Sequence, residues 1–226
     1  MKITAVVPVR KGSQRVPSKN LRPFADTTIL ELKLKTLKES GVFDDIVVNT
    51  DSEEAIAIAI ANGVSYHRRD EYFASSVCSG SDFAVHLAET TDTDIFVYSP
   101  STSPFVSIET MKECVKKFKE SDDIDCVATV SAVKQFLWFD NKAVNYDPQN
   151  TPRSQDLPDF VALNFGFTVM KKETIIRKKN FVGDTPMFVV TSDIESIDID
   201  NEIDFFIAEQ IYIRTILEKN SLLRKI

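Results

Sequence analysis

Val9-Arg10-Lys11-Gly12-Ser13-Gln14-Arg15 and, far along the chain, Ser196-Ile197-Asp198-Ile199-Asp200-Asn201 hold the residue types best suited to chemistry. Counting Lys2, Lys19 and Arg22, the first 22 residues carry six cations and no acid, in a chain of net charge -7. Gly12 and Ser13 let the backbone approach a bound anion, and the Ser13 hydroxyl can donate to it. Arg10 offers a planar fork for two phosphate oxygens, and Lys19 a mobile point charge. This set reads as a polyphosphate cradle, against the plainer alternative of a solvated basic turn. In the second segment, alternation on a strand would put Asp198 and Asp200 on one side. Two hard carboxylates there suit Mg²⁺, which completes its shell with water and ligand phosphates. The competing role is helix capping by Asp200 or Asn201.

These groups need a scaffold that brings the two ends of the chain together. The apolar run Ile3–Val9 leads directly into the basic loop, and open α/β sheets bind anions at the carboxyl ends of their strands. Further strands are expected at Asp45–Asn49, Ile95–Ser99, Cys126–Ala132, Phe165–Met170 and Ser196–Ile199. Helical spacing is carried by Ile29, Leu30, Leu32, Leu34 and Leu37, and by Ala55, Ile56, Ile58 and Ile60. Val85 and Leu87 mark a third helix, and Met111, Val115 and Phe118 a fourth. A last one starts near Asn201 and carries Phe205, Phe206, Ile207, Ile211 and Ile216. The alternation predicts one α/β unit over 1–226: a mostly parallel sheet with helices on both faces. Phe136 to Tyr146 departs from it and reads as a β-hairpin turning at Asp140-Asn141-Lys142. Four consecutive large apolar residues cannot all face one side of a strand, so the hairpin is buried within the chain or packs on a second copy.

Other groups at strand ends are less specific. Asp51 suits an N-cap, Arg68 and Arg69 follow a third β-like run with at least one facing a ligand, and Ser101-Thr102-Ser103-Pro104 follows the next. His86 lies on an amphipathic helix as a structural histidine. Two histidines, neither beside a Ser or Cys signature, give no hydrolytic triad, and no GxGxxG follows the first strand. Acidic balance disfavours nucleic acid and membrane surfaces as partners. Three cysteines without metal-ligand spacing read as buried thiols in a reducing compartment, and no apolar run reaches the about 18 residues of a membrane span. A cytoplasmic protein is expected.

Val7-Pro8-Val9-Arg10-Lys11-Gly12-Ser13-Gln14-Arg15-Val16-Pro17-Ser18-Lys19-Asn20-Leu21 resembles the signature loop of the acylneuraminate (CMP-sialic acid synthetase-like) cytidylyltransferases. The likeness continues through Val47-Val48-Asn49-Thr50-Asp51, Thr102-Ser103-Pro104, Arg153 to Pro158 and Ser196 to Asp200. It implies a Rossmann-like three-layer nucleotidyltransferase fold with a projecting hairpin arm, about 133–150, that dimerises the protein and completes the partner's site. It also implies transfer of CMP from CTP to a 2-keto-3-deoxy sugar acid, with release of pyrophosphate, for surface polysaccharide or glycan synthesis. On this resemblance Arg10, Gly12, Ser13, Gln14, Lys19 and Asn20 would hold the nucleotide phosphates, with Arg69, Ser79 and Ser81 near cytosine and ribose. Asp198 and Asp200 would hold Mg²⁺ and, with Arg10 and Lys19, carry catalysis. Thr102, Arg153 and Gln155 would lie toward the acceptor.

The chain departs from that pattern in three places. Gln14 stands where the family usually has lysine. Pro100-Ser101-Thr102-Ser103-Pro104-Phe105-Val106 lacks the glutamine and arginine of Gln-Pro-Thr-Ser-Pro-Leu-Arg, and Phe165 takes the place of the glycine in Asn-Gly-Ala-Ile-Tyr. The changes cluster on the acceptor side, which points to an acceptor other than ordinary sialic acid. Two other readings compete: a glycosyltransferase with an Asp-x-Asp metal site, and a nucleotide-binding homologue that has lost catalysis.

Overall fold

In a computed structural model, which describes residues 1–13 and 15–218, β1 (Ile3–Val9) is the hub of a seven-stranded sheet. It pairs in parallel with β2 (Asp45–Thr50), which pairs with β3 (Ser65–Arg68), and on its other side with β4 (Ile95–Tyr98). Beyond β4 lie β6 (Phe160–Lys171), β5 (Cys126–Val133) and the edge strand β7 (Pro186–Thr191), giving the order β7-β5-β6-β4-β1-β2-β3. Only β6 runs antiparallel to its neighbours. The expected mostly parallel, Rossmann-like sheet is therefore observed.

Alternation along β1 sorts its side chains between two layers. Ile3, Ala5, Val7 and Val9 pack with Leu30, Leu34 and Leu37 of α1 (Ile29–Ser40), Ala55 and Ala59 of α2 (Glu53–Ala61), and Met111 and Val115 of α4 (Ile108–Glu120). Val6 turns the other way, toward Ala84 and Leu87 of α3 (Gly80–Glu89) and Ile175 of α5 (Lys172–Lys178). The α1 start is fixed by a capping box, Thr28 with Glu31, and its end by Gly41 in the left-handed region at φ 67°.

A third cluster matters most for function. Val16 and Phe24, after β1, pack on Ile29, Ile199 and the inner face of α6 (Glu202–Tyr212), which supplies Phe205, Ala208 and Tyr212. Each fully buried large side chain contributes about 1.5–3 kcal/mol, and here that energy joins the two ends of the chain.

Several local expectations change. Ser196–Ile199 is no strand: residues 193–196 turn and 197–200 are irregular. The seventh strand is instead Pro186–Thr191, an edge strand, where its initial proline costs no ladder bond. Phe165–Met170 is the end of the longer β6, broken by a bulge between Leu163 and Thr168. The hairpin turns on Asp140 and Asn141, both at positive φ, so Lys142 already pairs back with Phe139. Of the thiols, Cys114 and Cys126 are buried but Cys78 is only partly so. His86 is buried and stacked 3.8 Å from Phe73, with its Nε2 lacking a partner, which is a packing role. Among the described residues no helix is long and apolar enough to cross a membrane.

Candidate active site

Strand order reverses between β1 and β4, and the crevice opened there at the strands' carboxyl ends is where doubly wound sheets take ligands. Pro8, Arg10, Ser13, Arg15, Lys19 and Asn20 line it from β1 and its loop; Tyr98, Pro100 and Thr102 do so from β4 and beyond. Arg69, Phe83 and Asp200 complete the wall.

The six N-terminal cations divide sharply. Lys2 lies at the other end of β1, paired with Asp92 at 3.0 Å. Arg22 stacks 3.7 Å over Phe205 and grips Glu202 through both terminal nitrogens, so it anchors α6. The Lys11 backbone N–H donates to Asp51 Oδ1 at 2.8 Å, fixing the loop's first turn. Asp51 is thus not the cap of α2; Ser52 is, accepting from the Ala55 N–H. Arg10, Arg15 and Lys19 remain for the cleft.

Lys19 spans both halves of the site. Its Nζ donates to the Ile199 carbonyl oxygen, and burial lowers its pKa while Asp198 and Asp200 oppose that. Asp200 accepts from Arg15 Nη2 at 2.6 Å. Asn201, not Asp200, caps α6, accepting from Ile203 and Asp204, which leaves the Asp200 carboxylate to the cleft. Asp198 is exposed and is not part of the cleft lining, although burial still pushes its carboxyl up, with a Thr102 hydrogen bond opposing this and Asp200 adding repulsion. The Thr102 carbonyl also receives the Ile199 N–H at 2.9 Å.

Arg69 is the other deep cation, and its neighbour Arg68 turns outward to Glu53. Arg69 Nε donates to Asn49 Oδ1 at 2.6 Å and its Nη2 to the Asn49 carbonyl at 2.5 Å, with the guanidinium 4.9 Å from the Phe83 ring. Burial lowers its pKa to about 10, so it stays cationic at neutral pH. Asn49 Nδ2 is buried without a partner, and the hydroxyl of the partly buried Tyr98 is pushed up to about 12, first by burial and then by Asp198. Sequence reasoning missed Tyr98, Phe83 and Asn49 as site residues. Only their positions at or just past strand ends, or on the first turn of α3, could have signalled them.

Other expected site residues sit elsewhere. Gly12 is exposed, lies outside the cleft lining and has open space where a Cβ would be. Ser79 caps α3, bonding Asp82, and Ser81 is exposed on that helix's first turn. Arg153 pairs with Asp156 at 2.7 Å and Gln155 is exposed beside it; neither lines the cleft of the single chain. Gln14 lies outside the described residues.

Residues 4–188 match the family model described as Cytidylyltransferase. The chain belongs to the cytidylyltransferase family. The chain is 26% identical over 92% of its length to the N-acylneuraminate cytidylyltransferase of Escherichia coli O18:K1:H7, covering 51% of that protein. It is 28% identical over 93% of its length to the CMP-N,N'-diacetyllegionaminic acid synthase of Legionella pneumophila, covering 96% of it. The chain thus spans about half the length of the N-acylneuraminate cytidylyltransferases it matches. In structure it resembles a CMP:2-keto-3-deoxy-manno-octonic acid synthetase solved with CTP, at TM-score 0.70 and 12% identity, over 96% of this chain and 100% of the other. The family resemblance is borne out, and the opening loop falls within the matched residues.

Proposed function

We propose that this chain transfers CMP from CTP to a 2-keto-3-deoxy sugar acid and releases pyrophosphate. The observation that carries this reading is one cleft in which Arg10, Arg15, Lys19 and Arg69 meet Asp200, with Asp198 close enough to Lys19 to act on its charge. Cations along one wall match a triphosphate. Attack by an anionic acid on such a substrate needs its charge neutralised, and preoriented cations supply that without reorganising in the transition state.

Arg10, Ser13 and Lys19 hold phosphate oxygens, and the Arg69–Phe83 wall takes the base and ribose. The acceptor's anomeric oxygen attacks the α-phosphorus in line. One P–O bond forms as the bond to the bridging oxygen breaks, pyrophosphate leaves with that electron pair, and the hydroxyl proton passes to solvent. Thr102, at the rim near Asp198, faces the acceptor side.

The donor chemistry here fits Mg²⁺. Asp198 and Asp200 raise each other's energy when both are charged, and no cluster of three or more acidic, histidine or cysteine ligands exists among the described residues. A hard cation held by two carboxylates, with water and phosphates filling its shell, relieves that repulsion. When bound, the ion supplies charge neutralisation at the phosphates.

The protein acts as a homodimer in this reading. Val190, Val130 and Leu163 lie in one row across β7, β5 and β6, and Val190 and Leu163 are exposed. The nearby hairpin presents Trp138 and Phe139, the latter 78% exposed, from a frame fastened by Asn145 to Gln135 and Leu137. A second copy covering this face would bring Arg153 and Gln155 toward a neighbouring cleft. A cytoplasmic location and a role in surface glycan synthesis accompany the CTP-dependent reading.

Pyrophosphate release from CTP and Mg²⁺, across a panel of 2-keto-3-deoxy sugar acids, tests the proposal. Release that requires an acid acceptor is expected, with N-acetylneuraminate inferior to another acid. CTP binding without turnover across the panel would refute transfer in favour of a catalytically inert binder.

A further inference from the structure

The mechanism above leaves one buried charge unused. Lys33 lies on the inner face of α1 among Leu30, Leu34 and Leu37, and its side chain is fully buried. It forms none of the ion pairs found among the described residues, and burial alone brings its pKa to about 7. Its Nζ makes one hydrogen bond, to the Ser103 carbonyl oxygen at 2.5 Å. An unpaired ammonium in a core is costly, and an apolar replacement of like volume is commonly neutral or stabilising.

Ser103 belongs to the turn after β4, and that turn is a junction. The buried Ser101 hydroxyl donates to Asn20 Oδ1 at 3.0 Å, and the Asn20 carbonyl receives the Leu30 N–H of α1 at 3.1 Å. The Thr102 carbonyl holds the Ile199 N–H at 2.9 Å, between the two aspartates. The Ser103 N–H itself closes onto Pro100 at 3.4 Å. Lys33 thus grips from below a turn whose other contacts reach the basic loop and the acidic segment.

We propose that Lys33 is a positioning residue: by holding the Ser103 carbonyl it fixes the Ser101–Ser103 turn, and through it Asn20 and the Asp198–Asp200 segment. The catalytic consequence rests on the CMP-transfer reading; the pinning does not. In the full chain, Lys33→Met is expected to keep or raise Tm. The Ile199 and Ser103 amides should exchange with solvent at least tenfold faster, while amides in the middle of β1 stay protected. The kcat for CMP transfer should fall at least tenfold with the CTP KM within about threefold.

Unchanged exchange at Ile199 and Ser103 would overturn the proposal, as would activity lost only in proportion to lost stability. The unsubstituted chain gives a test that does not depend on the variant folding. There the Ile199 amide should exchange at least a hundredfold slower than those of the exposed Asp140-Asn141 turn, and equal rates would overturn the pinning. If no sugar acid releases pyrophosphate, the transfer reading fails while the exchange comparison still decides the role of Lys33.

Discussion

Replacing Asp200 by asparagine separates chemistry from fold at a single carboxylate. The side chain keeps its volume and loses its charge. Its ion pair with Arg15 joins groups 68% and 47% exposed, and such a surface pair is worth about 1 kcal/mol at most. The cap of α6 does not use this carboxylate: Asn201 takes the Ile203 and Asp204 amides, and Asp204 Oδ2 accepts the backbone N–H of Asp200. Asp200→Asn should therefore shift unfolding free energy by less than about 1 kcal/mol. Its effect on turnover should be larger, at least tenfold or about 1.4 kcal/mol of barrier. The electrostatics give two further signatures. Asp200 is one of the two acids that hold the pKa of Lys19 up against burial, so its loss lowers that pKa further. The alkaline limb of the pH–rate profile, where Lys19 loses its charge, moves to lower pH. The Mg²⁺ concentration giving half-maximal rate rises, because one carboxylate is gone. Pyrophosphate release against pH and Mg²⁺, beside urea unfolding, measures all of this. Turnover within twofold of the unsubstituted enzyme, with an unmoved Mg²⁺ midpoint, would make Asp200 a surface partner of Arg15 and nothing more.

Burial drops the pKa of His86 from 6.5 to about 4, with the positive fields of His67 and Arg69 adding to it. The unfolded chain then binds the proton first: the stabilisation is complete above pH 6.5 and is lost as pH falls toward 4. The gap corresponds to about 3 kcal/mol, which denaturant titrations from pH 7 to 4 should show and His86→Phe should remove. His67, lowered mainly by burial, contributes in the same direction. Phe165 holds a left-handed backbone at φ 50° on the β6 bulge, and its ring is 40% exposed. Relief of about 1–2 kcal/mol of backbone strain should leave Phe165→Gly within about 1 kcal/mol of the parent stability. Steady-state kinetics should show it gaining in kcat/KM for N-acetylneuraminate relative to the preferred acid; an unchanged ratio would remove Phe165 from acceptor selection.

The site owes its architecture to a division of labour between cations that touch the cleft and cations that build it. Arg22 comes from the same stretch of chain as Arg10 and Lys19 yet clamps α6, Lys2 pairs with Asp92 at the far end of β1, and Lys33 on the helix that follows holds the turn beyond β4. Net positive charge in the opening segment therefore overstates the charge available to a ligand.

What the sequence determined alone was the sheet apart from its Pro186–Thr191 edge, and the two candidate segments. Ile3–Val9, the β-branched runs at Asp45 and Ile95, and the spacing of Leu30, Leu34 and Leu37 fix strands and helices through local periodicity, which tertiary contacts did not need to correct. Residue order in the opening loop, Arg10–Lys19, lies within the stretch that matches the family model, and it is the part in which the proposed phosphate contacts fall. Conformation at Ser196–Asp200 was not legible. The alternating Ile and Asp residues mimic a strand, but Ile199 is drawn into the cluster with Val16 and Phe24, and its N–H is taken by Thr102 instead of a neighbouring strand. Nor could spacing say whether Asp200 or Asn201 caps α6, or which of Arg68 and Arg69 turns inward. The first is settled by the local capping box of Asn201 with Asp204 together with the distant Arg15, and the second by Asn49 against Glu53, both well removed along the chain. The chain's own chemistry named candidate residues; packing between its two ends decided which of them share a cleft.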